Sequence, residues 1–327
     1  MYFKNFVKIL FLIFILFSLP FQAKSEKNLT NQEFYEIGSY ETFEELPAKI
    51  IKNLPSDINA QVAYYLKYYS NEKREVVERW LTRCSLFLPY FKTIFKEYNL
   101  PEDLVYLAYI ESGCNPLATS PAGAAGIWQF MKITAQRYGL KINYWIDERR
   151  DFIKSTHAAA KYLKTLYKIF GDWRIAIASY NLGENRLRKI LKARNFVDYW
   201  QVINSDKLPA ETSAYLPRWM AITLIAKNPQ KYGFSPIEQK ILDYEEIKVN
   251  GGVDLKVFAV AGDIDYEYLL LLNAELRRRI TPPGTIYSLK IPYEKKEILQ
   301  KNLLSLKTVI KRKRFYRKRL KVITLSE

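Results

Sequence analysis

The chain has 327 residues, 49% hydrophobic and 26% charged, and carries a formal charge of +17 from 51 Lys and Arg against 34 Asp and Glu. This composition excludes a wholly disordered or fibrous chain, and the length predicts two or three domains at roughly 100–200 residues each. One His and two Cys (Cys84 and Cys114) are too few for a His/Cys metal centre or a disulfide-dense scaffold, so no metal or other cofactor is expected.

The positive charge sits at the ends. Residues 307–321 hold nine Lys/Arg and no acid, and the first 25 residues hold Lys4, Lys8 and Lys24 and no acid. Without them the body carries 39 basic and 34 acidic residues, a surplus of five. Nucleic acid is therefore not an expected partner. The lysine/arginine-rich tail, 296–327, suits an anionic membrane or wall polymer instead.

Lys4 and Lys8 precede the apolar run Ile9–Leu19, and Ala23-Lys24-Ser25 supplies a cleavage site after Ser25. Residues 1–25 thus read as a signal peptide, and the run is short against the roughly 20 residues of a membrane-spanning helix. An uncleaved anchor is the alternative. The expected location is outside the cytoplasm, in the periplasm or cell envelope. No Cys lies near the cleavage point, so a lipoprotein is not expected. In that compartment Cys84 and Cys114 can pair; two buried free thiols fit the sequence equally.

After a polar lead-in at 26–55, helical signals follow one another from 56 to 235. Val62, Tyr65, Leu66 and Tyr69 share a face, as do Phe91, Ile94, Phe95 and Tyr98. Pro101, Glu102 and Asp103 open the next helix. Ile127, Phe130, Met131, Thr134 and Tyr138 predict another. Ser155 to Phe170 predict a longer one closed by Gly171, and more start near Asp172, Gly183 and Thr212. Beyond Pro236 the pattern changes. Strands are predicted at Tyr244–Val249 and Tyr287–Pro292, with helices at Val253–Ala261 and Tyr266–Leu272 between them. Residues 240–295 form a small β-α-α-β unit, so the fold class is mainly α.

In the helix from Pro101, the apolar stripe Leu104, Leu107, Ala108 arrives next at Glu111. A carboxyl on an apolar face has a raised pKa and can serve as a proton donor near neutrality. A helix-end Glu turned to solvent is the plainer reading of the spacing.

The surrounding blocks favour the first reading. Glu111-Ser112-Gly113-Cys114-Asn115-Pro116 is followed by Ser120-Pro121-Ala122-Gly123-Ala124-Ala125-Gly126-Ile127-Trp128-Gln129-Phe130-Met131. Then come Ala178-Ser179-Tyr180-Asn181-Leu182-Gly183-Glu184 and Leu208-Pro209-Ala210-Glu211-Thr212-Ser213-Ala214-Tyr215-Leu216-Pro217. In this order they resemble the lysozyme-like catalytic domain of lytic transglycosylases, nearest the membrane-bound lytic murein transglycosylase D group. Asp147-Glu148-Arg149-Arg150-Asp151 fits that group too. Cys114 stands where such sequences more often carry an aromatic.

The resemblance implies a lysozyme-like all-helical domain at 56–235 that cleaves the β-1,4 bond between N-acetylmuramic acid and N-acetylglucosamine in peptidoglycan glycan strands, leaving 1,6-anhydromuramyl ends. It implies Glu111 as acid and then base, and Ser112, Ser120, Gln129, Met131, Tyr180, Asn181, Glu211 and Tyr215 as substrate-binding. On apolar faces, Met131 and Tyr180 could equally be plain core. The β-α-α-β unit resembles a degenerate LysM domain, a glycan binder; a docking unit that binds nothing is the alternative. Asp147, Glu148 and Asp151 are expected in ion pairs or caps, Glu184 as a cap, and His157, on a lysine face, as a solvated side chain. A hydrolase of the same fold and a non-catalytic wall-binding protein are the competing functions.

Overall fold

The computed structural model describes residues 60–192, 207–238 and 240–304. The signal peptide at 1–25, the lead-in at 26–55 and the basic segment 307–321 lie outside the described residues.

The first part is helical. Helix α1 (Ala60–Lys67) runs through a π-helical turn into α2 (Arg74–Ser85) and α3 (Leu88–Glu97). A 3-10 turn at Glu102–Tyr106 leads into the short α4 (Leu107–Ser112). After a long loop come α5 (Lys132–Arg137), α6 (Phe152–Phe170) and α7 (Trp173–Leu182). Helices α8 (Glu184–Lys192) and α9 (Ala210–Lys227) complete it. Asp151 caps α6 by accepting the backbone N–H groups of Ile153 and Lys154, and Asp172 caps α7 by accepting that of Arg174.

Helix α9 is apolar on nearly every side, with Tyr215, Leu216, Trp219, Met220, Ile222 and Ile225 buried, so it takes the central place. It packs on α1, α7 and α4, while α6 packs on α3 and α7. Trp128 fills the space beside Phe91 and Phe95, at ring separations of 5.2 and 5.4 Å.

One predicted helix is corrected. The stripe Ile127, Phe130, Met131, Thr134, Tyr138 is helical only within Lys132–Arg137. Residues 119–130 form a folded loop with bridges Thr119↔Ala125 and Ala125↔Phe130. Gly126 sits at φ 82°, and a Cβ there would lie 1.8 Å from the Arg149 carbonyl oxygen. This close approach and left-handed backbone override the periodicity.

Cys84 and Cys114 form a disulfide with Cα atoms 5.2 Å apart, which settles the alternative left open by the sequence. It ties the end of α2 to the turn just after Glu111. Closing a loop across 30 residues of separation contributes about 3–4 kcal/mol on the chain-entropy view.

The second part is the β-α-α-β unit: β1 (Tyr244–Asn250), α10 (Leu255–Gly262), α11 (Tyr266–Leu272) and β2 (Ile286–Pro292). The strands pair antiparallel, with Tyr244 opposite Pro292 and Ile247 opposite Leu289. Helix α10 starts at Leu255, two residues after the predicted Val253, because Asp254 accepts the Lys256 N–H and caps it. Ile247, Phe258, Leu269, Leu289 and Ile291 form its core, with Leu299 from a following helix at 296–304.

This unit is docked on the helical part. Lys290 donates to Asp151 at 2.7 Å and to Glu275 at 3.1 Å, all three buried. The Asp147 N–H donates to the Glu275 carbonyl and the Arg277 N–H to the Trp145 carbonyl, each at 2.9 Å. Tyr90, Phe152 and Tyr244 meet edge-to-face or tilted across the boundary, and Tyr90 donates its hydroxyl proton to the Leu242 carbonyl.

Candidate active site

Glu111 lies in the last turn of α4, one residue before its end. Gly113 terminates the helix at φ 57°, and a Cβ there would meet the Trp80 ring at 2.1 Å. Three contacts fix this end. Arg83 donates to the Gly113 carbonyl at 3.1 Å. Ser112 donates its hydroxyl proton to the Ile127 carbonyl at 2.7 Å while accepting the Asn115 N–H. The Cys84–Cys114 bond adds the third. Ser112 therefore joins the helix that carries the acid to the 119–130 loop.

Glu111 is half-buried, so its carboxyl is desolvated yet reachable. Burial pushes its pKa up to about 7. A hydrogen bond donated by the Tyr215 hydroxyl opposes that rise, nearby Glu211 adds to it, and Arg218 opposes it. Tyr215 and Tyr180 are themselves held well above the ordinary tyrosine value, first by burial and then by the Glu111 charge. The two phenols remain protonated donors throughout the working pH range. Tyr180 donates to the Trp128 carbonyl at 2.9 Å, tying α7 to the same loop.

Asn181 and Glu211 meet where α7 faces the start of α9. The Asn181 amide donates to Glu211 at 3.3 Å and accepts from the Thr212 hydroxyl at 2.7 Å. Gln129 is half-buried at φ 46° and donates to the Gly126 carbonyl at 2.8 Å. Met131 is 47% exposed and so is not core. The Ser120 hydroxyl accepts the Ala124 N–H inside its own turn, at the outer end of the loop. The structure thus brings Tyr180 and Tyr215 to the Glu111 carboxyl, with Glu211 and its partner Asn181 nearby, while Ser112 acts at the helix end. Ser120, Gln129 and Met131 lie along the loop.

Sequence reasoning passed over two residues. Arg218 acts electrostatically on Glu111 and donates to the Tyr69 hydroxyl at 3.1 Å. Its signal was its place three residues after Tyr215, on the same face of α9. Arg149 grips Asp147 with two parallel bonds of 2.9 and 2.8 Å and donates to the carbonyls of Gly123 and Phe130 at 2.8 and 3.0 Å. It is the buttress of the loop. Glu148 pairs with Lys154, as expected of a structural acid. Glu184 does not simply cap its helix: it accepts from Arg137 and from the Tyr162 hydroxyl. His157 is half-buried, with its Nδ1 3.1 Å from the Tyr98 hydroxyl, rather than fully solvated. Among the described residues no group of three His, Cys, Asp or Glu side chains could hold a metal ion.

The Tyr215 bond gives a testable sign. A donor to the carboxylate favours its charged form, so Tyr215→Phe should move the Glu111 pKa above about 7. NMR titration of the Glu111 carboxyl carbon reads this directly, and an unchanged or lower midpoint would contradict the geometry.

One carboxylic acid, desolvated and with its pKa raised towards neutrality, can chemically both give a proton and take one back. Residues 89–203 match the transglycosylase SLT domain, and residues 243–308 match the LysM-like domain of lytic transglycosylase MltD. The chain is 33% identical over 216 residues to membrane-bound lytic murein transglycosylase D of Escherichia coli (strain K12), covering 64% of this chain and 47% of that protein. Membrane-bound lytic murein transglycosylase F of Yersinia pseudotuberculosis serotype I (strain IP32953) is 35% identical over 129 residues, 36% of this chain and 25% of that protein. The chain thus spans less than half the length of these curated relatives. The 70 kDa soluble lytic transglycosylase of Escherichia coli, a solved structure, overlaps 42% of this chain and 24% of its own, at 25% identity and a TM-score of 0.37.

Proposed function

We propose that this protein is a peptidoglycan lytic transglycosylase. The observation that carries the reading is the lone half-buried Glu111 carboxyl with its pKa near 7, set within an SLT domain. Protonated Glu111 gives its proton to the glycosidic oxygen between N-acetylmuramic acid and N-acetylglucosamine, and the C1–O bond breaks. The carboxylate so formed takes the proton of the muramyl C6 hydroxyl as O6 bonds to C1. A 1,6-anhydro ring closes, Glu111 is protonated again, and no water is consumed. One acid acting twice replaces the carboxylate pair of ordinary glycosidases. Glu211 is exposed and engaged with Asn181, which fits a binding role rather than a second catalytic one.

In this reading Tyr215 orients the acid, and Tyr180 holds the loop beside it through the Trp128 carbonyl. Ser112 holds the acid's helix end. Asn181, Glu211, Gln129, Met131 and Ser120 offer amide, hydroxyl and apolar surface to the sugars. The working location is the cell envelope, in keeping with relatives named as membrane-bound. The cationic segment 307–321 adds contact with anionic membrane or wall polymers.

Mass spectrometry of muropeptides released from purified peptidoglycan tests the reaction. The expected products carry 1,6-anhydromuramyl ends, weigh one water less than hydrolysis products and resist borohydride reduction. Reducing muramyl ends as the main product would replace this reading with a hydrolase.

A further inference from the structure

Outside the acid site, a group of arginines lies where the docked unit meets the 143–150 segment that follows the 119–130 loop. Arg149 is neutralised there by its bidentate grip on Asp147, and Lys290 by Asp151 and Glu275. Among the described residues, no carboxylate pairs with Arg150, Arg277 or Arg278. Arg150 is half-buried, with a buried Nε that has no hydrogen-bond partner, and its Nη2 donates to the Thr119 hydroxyl at 3.3 Å. Burial, together with the charges of Arg149 and Arg277, holds its pKa below the ordinary arginine value despite the favourable field of Asp147.

Arg277 and Arg278 are exposed and come from the other part of the chain. Arg277 is anchored by its backbone N–H to the Trp145 carbonyl and by its guanidinium to the Asn143 carbonyl at 2.7 Å. Arg278 lies with its guanidinium carbon 4.2 Å from the centroid of the exposed Tyr144 ring. A guanidinium stacked on a ring keeps its N–H edge free for a planar anion. Three arginines are thus fixed from two sides of the domain boundary, and Arg150 touches Thr119, next to Ser120.

We propose that Arg150, Arg277 and Arg278, with the Tyr144 ring, form a carboxylate-binding subsite for the peptide stem attached to the glycan strand being cleaved. The inference rests on the transglycosylase reading for its substrate. Stem peptides carry free carboxylates, and Arg is the side chain whose fork matches a carboxylate bidentately. The subsite joins the loop that borders the acid to the docked unit, so only the assembled chain possesses it.

The test compares the full chain with its Arg277→Gln/Arg278→Gln variant, which leaves every group near Glu111 in place. Two substrates are used: uncrosslinked strands bearing peptides, and the same strands stripped of peptides by an amidase. Loss of two charge-assisted contacts should raise KM on the peptide-bearing strands about tenfold or more at low salt, with kcat kept. KM on stripped strands should be unchanged, and the contrast should shrink as salt is added. An equal effect on both substrates, or none on either, overturns the subsite. Binding of a soluble peptide-bearing muropeptide to the full chain, followed by NMR, needs no turnover and reads the subsite separately from the reaction. Tenfold weaker binding by the variant supports it. Equal binding, no binding to the unaltered chain, or displacement by inorganic phosphate as readily as by the stem peptide overturns it.

Discussion

Glu111→Gln should cost at least ~10²-fold in turnover, the low end for loss of a general acid, and should also make the protein more stable above neutral pH. Gln keeps the shape of the side chain and its place at the end of α4 but cannot give up or accept the proton. The stability change follows from the same raised pKa. The folded-state value is about 7 against an ordinary 4.5, so the folded protein holds on to this proton more tightly than the unfolded chain does. The associated stabilisation is fully present below about pH 4.5 and is lost as the pH rises towards 7. Above that, the ionised carboxylate costs on the order of 1–3.5 kcal/mol, the upper figure being the whole shift at about 1.4 kcal/mol per pKa unit and the lower one allowing for partial exposure. The variant should therefore match the parent near pH 4 and exceed it near pH 8 in denaturant unfolding. The parent's kcat/KM should fall as pH rises through about 7, where the acid loses its proton. Near-normal turnover in the variant would remove Glu111 from the acid role, and an unchanged slope of stability against pH would remove its desolvation.

What could be read before folding was local. Helical periodicity put Glu111 in line with Leu104, Leu107 and Ala108, and that face is buried. Period-2 and period-3.6 patterns placed the four elements of the β-α-α-β unit within two residues of where they lie. The 119–130 loop was misjudged because its apolar residues happen to fall at helical spacing, while its conformation is decided by Gly126 against the Arg149 carbonyl. Distant partnerships leave no local mark. Tyr215 reaches Glu111 from 104 residues away, and only the resemblance of ordered blocks pointed to it. Lys290 shows the limit of alternation. In a strand with one wet face it would point to water, yet Leu289, Lys290 and Ile291 are all buried, because the helical part covers the second face.

Lys290→Met should be the most damaging change to stability away from the acid, costing about 3–5 kcal/mol, the usual effect of removing one partner from a buried ion pair. Lys290 sits between Asp151, which caps α6, and Glu275, which reaches the 143–147 segment through its backbone carbonyl. Burial opposes its charge, but the two carboxylates outweigh that and hold it above the ordinary lysine range. Without the ammonium, Asp151 and Glu275 face each other uncompensated. Glu275 is already pushed up by burial, with Lys290 and the Tyr287 hydroxyl holding it down, so in the variant it should take up a proton at still higher pH. That fixes the sign of the pH effect. The deficit should be largest at pH 7–8, where the second buried charge persists, and should shrink as the pH falls and Glu275 becomes neutral. Removing one of the two buried negative charges by Glu275→Gln in the same chain should recover part of the loss at pH 8 and little at low pH. Beyond stability, the segment freed at 145–151 carries Arg149, which holds the carbonyls of Gly123 and Phe130, and so the loop along which Ser120 and Gln129 lie. The variant should accordingly show a raised KM for glycan at temperatures where it is still folded. A loss below about 1 kcal/mol, with KM unchanged, would mean that the unit is held by its aromatic contacts and backbone bonds alone and that the buried lysine is not what locks it in place.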